Sequence, residues 1–307
     1  MARLVLHIGT EKTGTTALQI FLRANRKKLA HHCVFVPSYL NWPRSHGLLP
    51  VLFADPFYPN KLSLSVGISS LEKKLDARQS ILARLHSDVL ANPEGLFIIS
   101  SEYLQSRLID KESVKALSAR LMEIFESISI LLYIRRPHDC AYSLMSTSIK
   151  SGSCDLLKLA CNDPYVQIVC SHRDTIDRWS EAFGERSIDL RIYNKRLLKE
   201  GGIETNFSSS YLKNIHGLKL SGTGINQALS HHQMLLLNIL NKYTSGNTSL
   251  QKLRSLVVLF IEKIQIGREG KDRQYQQSYI NEFESFYRAS DEYVRAKFFP
   301  EKDTLWE

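Results

Sequence analysis

The stretch Leu4-Val-Leu-His-Ile-Gly-Thr-Glu-Lys-Thr-Gly-Thr-Thr-Ala-Leu-Gln-Ile-Phe-Leu22 decides the fold. An apolar run ends at Gly9 and a loop of small and polar residues follows. Thr15 and Thr16 then open a segment whose Leu18, Phe21, Leu22 and Leu29 recur at helical spacing. The order is strand, glycine loop, helix. At such a junction the backbone N–H groups and the positive end of the helix dipole converge on one point, so the helix start is an anion site.

The spacing Gly9-x4-Gly14-Thr15-Thr16 is that of a nucleotide-phosphate loop with one change. A Walker A loop places lysine directly after its second glycine, whereas here Thr15 holds that position and Lys12 precedes Gly14. The anion cradle is kept and the lysine is displaced. In this form, Lys-Thr-Gly-Thr-Thr after a buried strand resembles the 5′-phosphosulfate loop of the PAPS-dependent sulfotransferases, especially the bacterial and glycan-type members. The resemblance implies that Thr10, Lys12, Thr13, Gly14, Thr15 and Thr16 hold the phosphate end of the sulfate donor. It also implies that Lys12 contacts the bridging oxygen of the leaving group.

The 307 residues suffice for one large α/β domain or two small ones. With 43% hydrophobic and 23% charged residues the composition is that of an ordinary globular protein. Forty Lys and Arg against 31 Asp and Glu give a net charge of +9, which suits an anionic ligand. Nucleic acid is not implied, because the basic residues are dispersed and no zinc-finger or RNP-like motif occurs. Cys33, Cys140, Cys154, Cys161 and Cys170 are an odd number without a C-x-x-C pair and read as reduced thiols. The N-terminus runs into the loop within nine residues, leaving no room for a signal peptide, and the run Leu256–Ile261 is too short to cross a bilayer. The expectation is therefore a cytoplasmic protein without a transmembrane segment; contact with a membrane surface and the oligomeric state stay open.

Cys33–Val36 reads as a second strand closed by Pro37, one helix after the first, as in a βαβ unit. Residues 38–67, rich in Pro, Asn, Gly and aromatics, read as a long, partly irregular segment over the mouth of the site. His46 lies on it. The resemblance implies a histidine near the acceptor here, while the residues alone allow a plain loop histidine bonded to a carbonyl. The pairs His31-His32 and His231-His232 point to different helix faces and make no metal site. After an amphipathic helix over 70–90, stopped by Asn92-Pro-Glu-Gly95, the run Leu96–Leu104 is a strand buried on both faces. It ends in Ser100-Ser101-Glu102. Ligands of open parallel sheets lie outside the carboxyl ends of the strands, so Glu102 is expected in the same crevice as Lys12. Burial there would raise its pKa toward that of a useful general base. Relatives in the cytosolic branch of the resembling family carry a histidine at this strand end. Glu11 is the competing base, disfavoured by its place beside the donor phosphates.

A second helix, 112–125, leads to the strand Ile128–Ile134, which ends in Arg135-Arg136-Pro137. Pro137 marks a helix start and leaves two arginines, fork-like binders of phosphate, at the strand's carboxyl end. Arg135-x7-Ser143 also resembles the 3′-phosphate motif of the sulfotransferases. Two phosphate sites on one nucleotide imply PAP or PAPS rather than ATP. Further on, a helix over 162–183, a strand over 187–193 and a helix over 204–215 are expected; the resemblance implies that Tyr193 lies near the adenine, though a core tyrosine satisfies the same pattern. Residues 217–230 are Gly-rich, and Lys219 is their only basic residue. Ser230-x-x-Gln233 forms a capping box before helices over 234–243, 250–266 and 280–299.

These readings describe a single domain, residues 1–307, with a three-layer α/β fold of the P-loop type: a mainly parallel central sheet flanked by helices and a helical C-terminal third. The implied reaction is sulfuryl transfer from PAPS, leaving PAP, to a hydroxyl of a glycan or glycolipid. Lys12 serves the leaving group, and Glu102, or else His46, serves as base. Thr10 to Thr16, Arg135, Ser143 and Tyr193 bind the nucleotide. No metal is required, since positioned cations and backbone donors suffice. A P-loop kinase or NTPase is the alternative, disfavoured by Thr15 at the Walker lysine position; a nucleotide- or glycan-binding protein without turnover is the other.

Overall fold

The computed structural model describes residues 2–41, 45–57, 59–154, 159–221, 228–244, 254, 257–258, 260–261 and 273–307. Five strands, β1 (Arg3–Gly9), β2 (Val34–Phe35), β3 (Leu96–Ser100), β4 (Ser127–Ile134) and β5 (Ile188–Ile192), form one sheet in the order β2-β3-β1-β4-β5. Every pairing is parallel. The fold is thus an α/β sheet flanked by helices, with helices through the C-terminal third.

Alternation along the strands explains why helices cover both faces. On one face Leu4, Leu6 and Ile8 of β1, Phe97 and Ile99 of β3, and Ile130, Leu132 and Ile134 of β4 share a core. Helices α2 (Leu48–Phe53), α4 (Leu71–Ala91), α6 (Lys111–Met122) and α9 (His172–Phe183) pack there. On the other face Val5, Ile98, Leu131 and Tyr133 meet Leu18, Phe21, Leu22 and Leu29 of α1 (Thr15–Ala30). Leu197 of α10 (Lys195–Lys199) and Ile203 and Phe207 of α11 (Gly202–Tyr211) complete that core. Each such side chain, fully buried, contributes about 1.5–3 kcal/mol. The apolar positions at 18, 21, 22 and 29 therefore decide which face of α1 turns inward. Ser70 caps α4 through the Lys73 N–H, and Asp110 caps α6 through the Ser113 N–H.

The chain divides into two compact units. The sheet and its two cores lie in the first, made of Met1–Arg135, Ser171–Ile225 and Tyr293–Glu307. The second, Arg136–Cys170 with Asn226–Glu292, has its own core. There α7 (Pro137–Lys150) and α8 (Pro164–Cys170) pack with α12 (His231–Thr244) and with Tyr279, Phe283 and Tyr287 of the helix Arg273–Phe298. The Ser230–Gln233 capping box forms, with Ser230 N–H donating to the Gln233 side chain at 2.7 Å and Gln233 N–H to the Ser230 hydroxyl at 3.3 Å.

One local expectation changes and one gains detail. Residues 38–67, read as partly irregular, hold short helices: α2 is buried in the core, and α3 (Lys61–Ser65) carries its own Asn60 capping box. Trp42 and Tyr58 lie outside the described residues. The helix expected over 162–183 is two, α8 and α9, broken at Ser171, where His172 turns inward to hydrogen-bond the Arg135 carbonyl. Within the parallel sheet β3 lies between β2 and β1, so β2 pairs with β3. Residues 222–227, and most of the helix expected over 250–266, lie outside the described residues.

Candidate functional site

The sheet order places β1 between β3 and β4. β1 is where the winding reverses, and ligands of open α/β sheets bind at the carboxyl ends beside such a point. Three chain segments leave the sheet there: Gly9–Thr16 after β1, Ser101–Glu102 after β3, and Arg135 after β4.

The first segment is shaped by residues in the left-handed region, Gly9 (φ 111°), Lys12 (φ 67°) and Gly14 (φ 81°). Such turns aim successive N–H groups toward one concavity. A side chain at Gly9 would come within 3.2 Å of the Glu102 backbone, so the loop and the β3 end lie against each other. At Gly14 (φ 81°) a Cβ would stand 3.1 Å from the Tyr193 ring and 3.3 Å from its hydroxyl, so both the backbone and the ring favour glycine there. Buried Thr10 ties the loop to β4: its N–H donates to the Tyr133 carbonyl at 2.8 Å and its hydroxyl to the same carbonyl at 3.2 Å. Thr13 donates to the Thr10 carbonyl at 2.6 Å. Thr15 and Thr16 begin α1, which has no side-chain cap and no acidic residue in its first turn. The loop can receive an anion at the positive end of that helix.

Arg135 donates from Nη1 to the Lys12 carbonyl at 3.0 Å and stands 5.8 Å from the centre of the Tyr193 ring. The structure brings Lys12, Gly14, Arg135 and Tyr193 together. Ser143 lies on α7 in the second unit, and His138, on the same helix, is buried.

Glu102 is the N-terminal flank of the short α5 (Tyr103–Arg107). Gln19 of α1 donates its amide Nε2–H to Glu102 Oε2 at 2.7 Å. Burial raises the carboxyl above its ordinary range; the Glu102 backbone N–H and Gln19 oppose this, Glu11 adds to it and Lys12 subtracts. Glu11 and Lys12 thus both act on the Glu102 carboxyl.

His46 is 3% exposed. Ser100 N–H donates to its Nδ1 at 2.7 Å, and the His46 N–H donates to the Ser100 carbonyl at 2.9 Å, fastening this segment to the end of β3. Its Nε2 is buried outside hydrogen-bond geometry, with the Pro37 carbonyl the polar group pulling on it. Burial lowers its pKa to about 4, so the ring is neutral near pH 7. His7 on β1 bonds the Ser100 hydroxyl through Nδ1 at 2.8 Å and is lowered to about 3, again by burial.

Sequence reading missed Gln19, His7 and His172. The signals were present but weak: each is a polar residue inside an apolar pattern, which marks a buried polar group that needs a partner. Identifying the partner requires the fold. Among the described residues no group of three His, Cys, Asp or Glu side chains is placed to hold a metal ion, and no helix is long and apolar enough to cross a membrane.

The fold and the loop define an α/β protein with a glycine turn at the switch point of its sheet. No protein-family model matches the chain, and no curated protein matches it in sequence. Among solved structures it is similar to the crystal structure of a sulfotransferase from Alicyclobacillus acidocaldarius, at 13% identity and a TM-score of 0.42, over 83% of this chain and 95% of that one. At that identity the likeness assigns no residue here a role.

Proposed function

We propose that the chain is a PAPS-dependent sulfotransferase, one catalytic domain over residues 1–307, acting on a hydroxyl acceptor of the glycan or glycolipid class. The observation that carries this reading is the meeting, at one strand-end crevice, of the Gly9–Thr16 turn, Arg135 and the half-buried carboxylate Glu102. The turn and the start of α1 bind the 5′-phosphosulfate. Arg135 binds the 3′-phosphate and, through the Lys12 carbonyl, holds the turn in shape. Ser143 joins it by motif spacing alone. Tyr193 packs on Gly14 and flanks the nucleotide.

In the transfer the acceptor oxygen bonds to sulfur while the bond from sulfur to the bridging phosphate oxygen breaks. The hydroxyl proton passes to Glu102, and the charge left on PAP meets the Lys12 ammonium. A carboxylate with a raised pKa accepts that proton more readily than an ordinary one. His46, with Nδ1 committed to Ser100, forms part of the acceptor wall; it is the rival base, together with Glu11.

Two measurements test the reading. Titration should show PAP binding without metal, and labelled sulfate should pass from PAPS to members of an acceptor library; binding of ATP with magnesium in place of PAP would make the chain a kinase or NTPase instead. Glu102→Gln should lower kcat roughly 10²-fold or more with PAP affinity kept. If Glu102→Gln turned over normally while His46→Ala or Glu11→Gln abolished turnover with PAP binding intact, the base would be reassigned.

A further inference from the structure

The chain leaves the first unit after Arg135 and re-enters it at Ser171, and the two points are tied together. His172, the first residue of α9, is buried and brings its ring Nε2 to 2.9 Å from the Arg135 carbonyl. A carbonyl only accepts, so Nε2 carries the ring proton. Nδ1 is then an acceptor, buried with no hydrogen-bond partner among the described residues. Such a nitrogen is unfavourable in an apolar setting, and a leucine would fill the place without it. What the histidine supplies is a donor for a carbonyl that no ladder reaches. The sheet ends one residue earlier, where the Tyr193 N–H donates to the Ile134 carbonyl at 2.7 Å, and the α7 ladder begins one residue later, at the Arg136 carbonyl. The direction of the Arg135 peptide is therefore set by His172. The ring is held in turn by the segment Tyr293–Glu307. Trp306 meets it edge-on, with ring centroids 5.8 Å apart, and Leu305 and Val294 are buried in the core. Tyr293 donates to Asp177 of α9 at 2.6 Å, and the Arg173 guanidinium lies 4.7 Å from the centre of the Tyr293 ring.

We propose that His172 is a positioning residue for recognition of the 3′-phosphate, acting through the Arg135 carbonyl, and that Trp306 holds its ring in place. The inference rests on the sulfotransferase reading and adds two residues that set nucleotide specificity without belonging to either phosphate motif. The Arg135 side chain already donates from Nη1 to the Lys12 carbonyl at 3.0 Å, so its guanidinium has to serve the turn and the phosphate from one backbone position. Fork-like binding of phosphate depends on direction as well as on charge. A shift of the Arg135 peptide therefore weakens the 3′-phosphate more than the rest of the nucleotide. Preference for a 3′-phosphorylated nucleotide over the plain 5′-monophosphate is set at the start of α9 and at Trp306 as well as at Arg135.

The test compares PAP with AMP, which differ only in the 3′-phosphate, by calorimetry on the full chain. The unmodified chain should prefer PAP. His172→Leu removes the N–H and keeps an apolar filling; it should lower that preference about fivefold or more, as expected of one lost hydrogen bond, through PAP and not through AMP. His172→Gln places an amide N–H near the position of Nε2 and should recover most of the preference. Trp306→Ala should lower it in the same direction by a smaller factor. Added to Arg135→Ala, His172→Leu should bring no further loss, because residues that act through one another are not additive. A general loosening of the fold weakens both nucleotides alike, so equal losses for PAP and AMP overturn the proposal. An unchanged preference in His172→Leu, no recovery in His172→Gln, or an additive loss on the Arg135→Ala background also overturns it. If His172→Leu does not fold, Trp306→Ala decides by the same ratio, and an unchanged preference there overturns the proposal. A chain that prefers PAP, but whose preference ignores both residues, fails this inference alone; one with no preference for PAP over AMP fails the sulfotransferase reading and this inference together.

Discussion

Gln19 donates a hydrogen bond of 2.7 Å to the carboxylate of Glu102, joining the second turn of α1 to the end of β3. Gln19 is 8% exposed, so its amide is held by packing as well as by the bond. The carboxylate is thereby oriented, and its ionised form is favoured against the burial that disfavours it.

Replacing Gln19 by Leu removes that donor at nearly constant volume. The remaining influences on Glu102 are led by burial, so its pKa rises further and the acidic limb of the kcat/KM profile moves to higher pH. PAP affinity should not change. A pH–rate profile of Gln19→Leu that overlays the unmodified enzyme would show that Glu102 is not the group titrating in that limb.

Lys12 is proposed to meet charge that exists only as the leaving group departs. Lys12→Ala should therefore lower kcat and kcat/KM together, the sign of an interaction made in the transition state. An unchanged kcat with a raised KM for PAPS would assign Lys12 to ground-state binding alone.

Arg135 has two tasks, and they can be separated by ligand. Arg135→Ala should weaken PAP by about 2 kcal/mol or more, the worth of a charged hydrogen bond. Adenosine 5′-phosphosulfate lacks the 3′-phosphate, so its smaller loss should come from release of the Lys12 carbonyl alone. Calorimetry with both nucleotides measures the difference; equal losses would remove Arg135 from the 3′-phosphate site.

Acid should destabilise the fold before the carboxylates titrate. His7, His46 and His172 are buried, with pKa values lowered by burial from 6.5 to about 3, about 4 and about 4. Below pH 6.5 the unfolded chain binds protons that the folded chain refuses, so stability is full above 6.5 and falls as pH drops toward 4. At pH 5 the loss is of order 1–2 kcal/mol for each histidine. Urea midpoints at pH 7.5 and pH 5.0 should differ accordingly. Equal midpoints would mean that these rings accept protons inside the fold.

What the sequence by itself determined is local. The junction at Gly9–Thr16, the cap at Ser70, the start of α7 at Pro137 and the capping box at Ser230 depend on residues within a turn or two, and the chain carries their signals in contiguous form. The continuous apolar runs of β1, β3 and β4 likewise announced a sheet covered on both faces. Tertiary structure alone decided which distant groups meet. Gln19 and Glu102 are 83 residues apart, and His46 and Ser100 are 54 apart. Neither pair is written in any spacing, because each contact depends on the strand order β2-β3-β1-β4-β5. The same cause hid the helices within residues 38–67. Their composition reads as a partly irregular segment, but α2 finds a buried face of the sheet to cover, and burial of Leu49, Val51, Leu52 and Phe53 outweighs the local preference for irregular structure there.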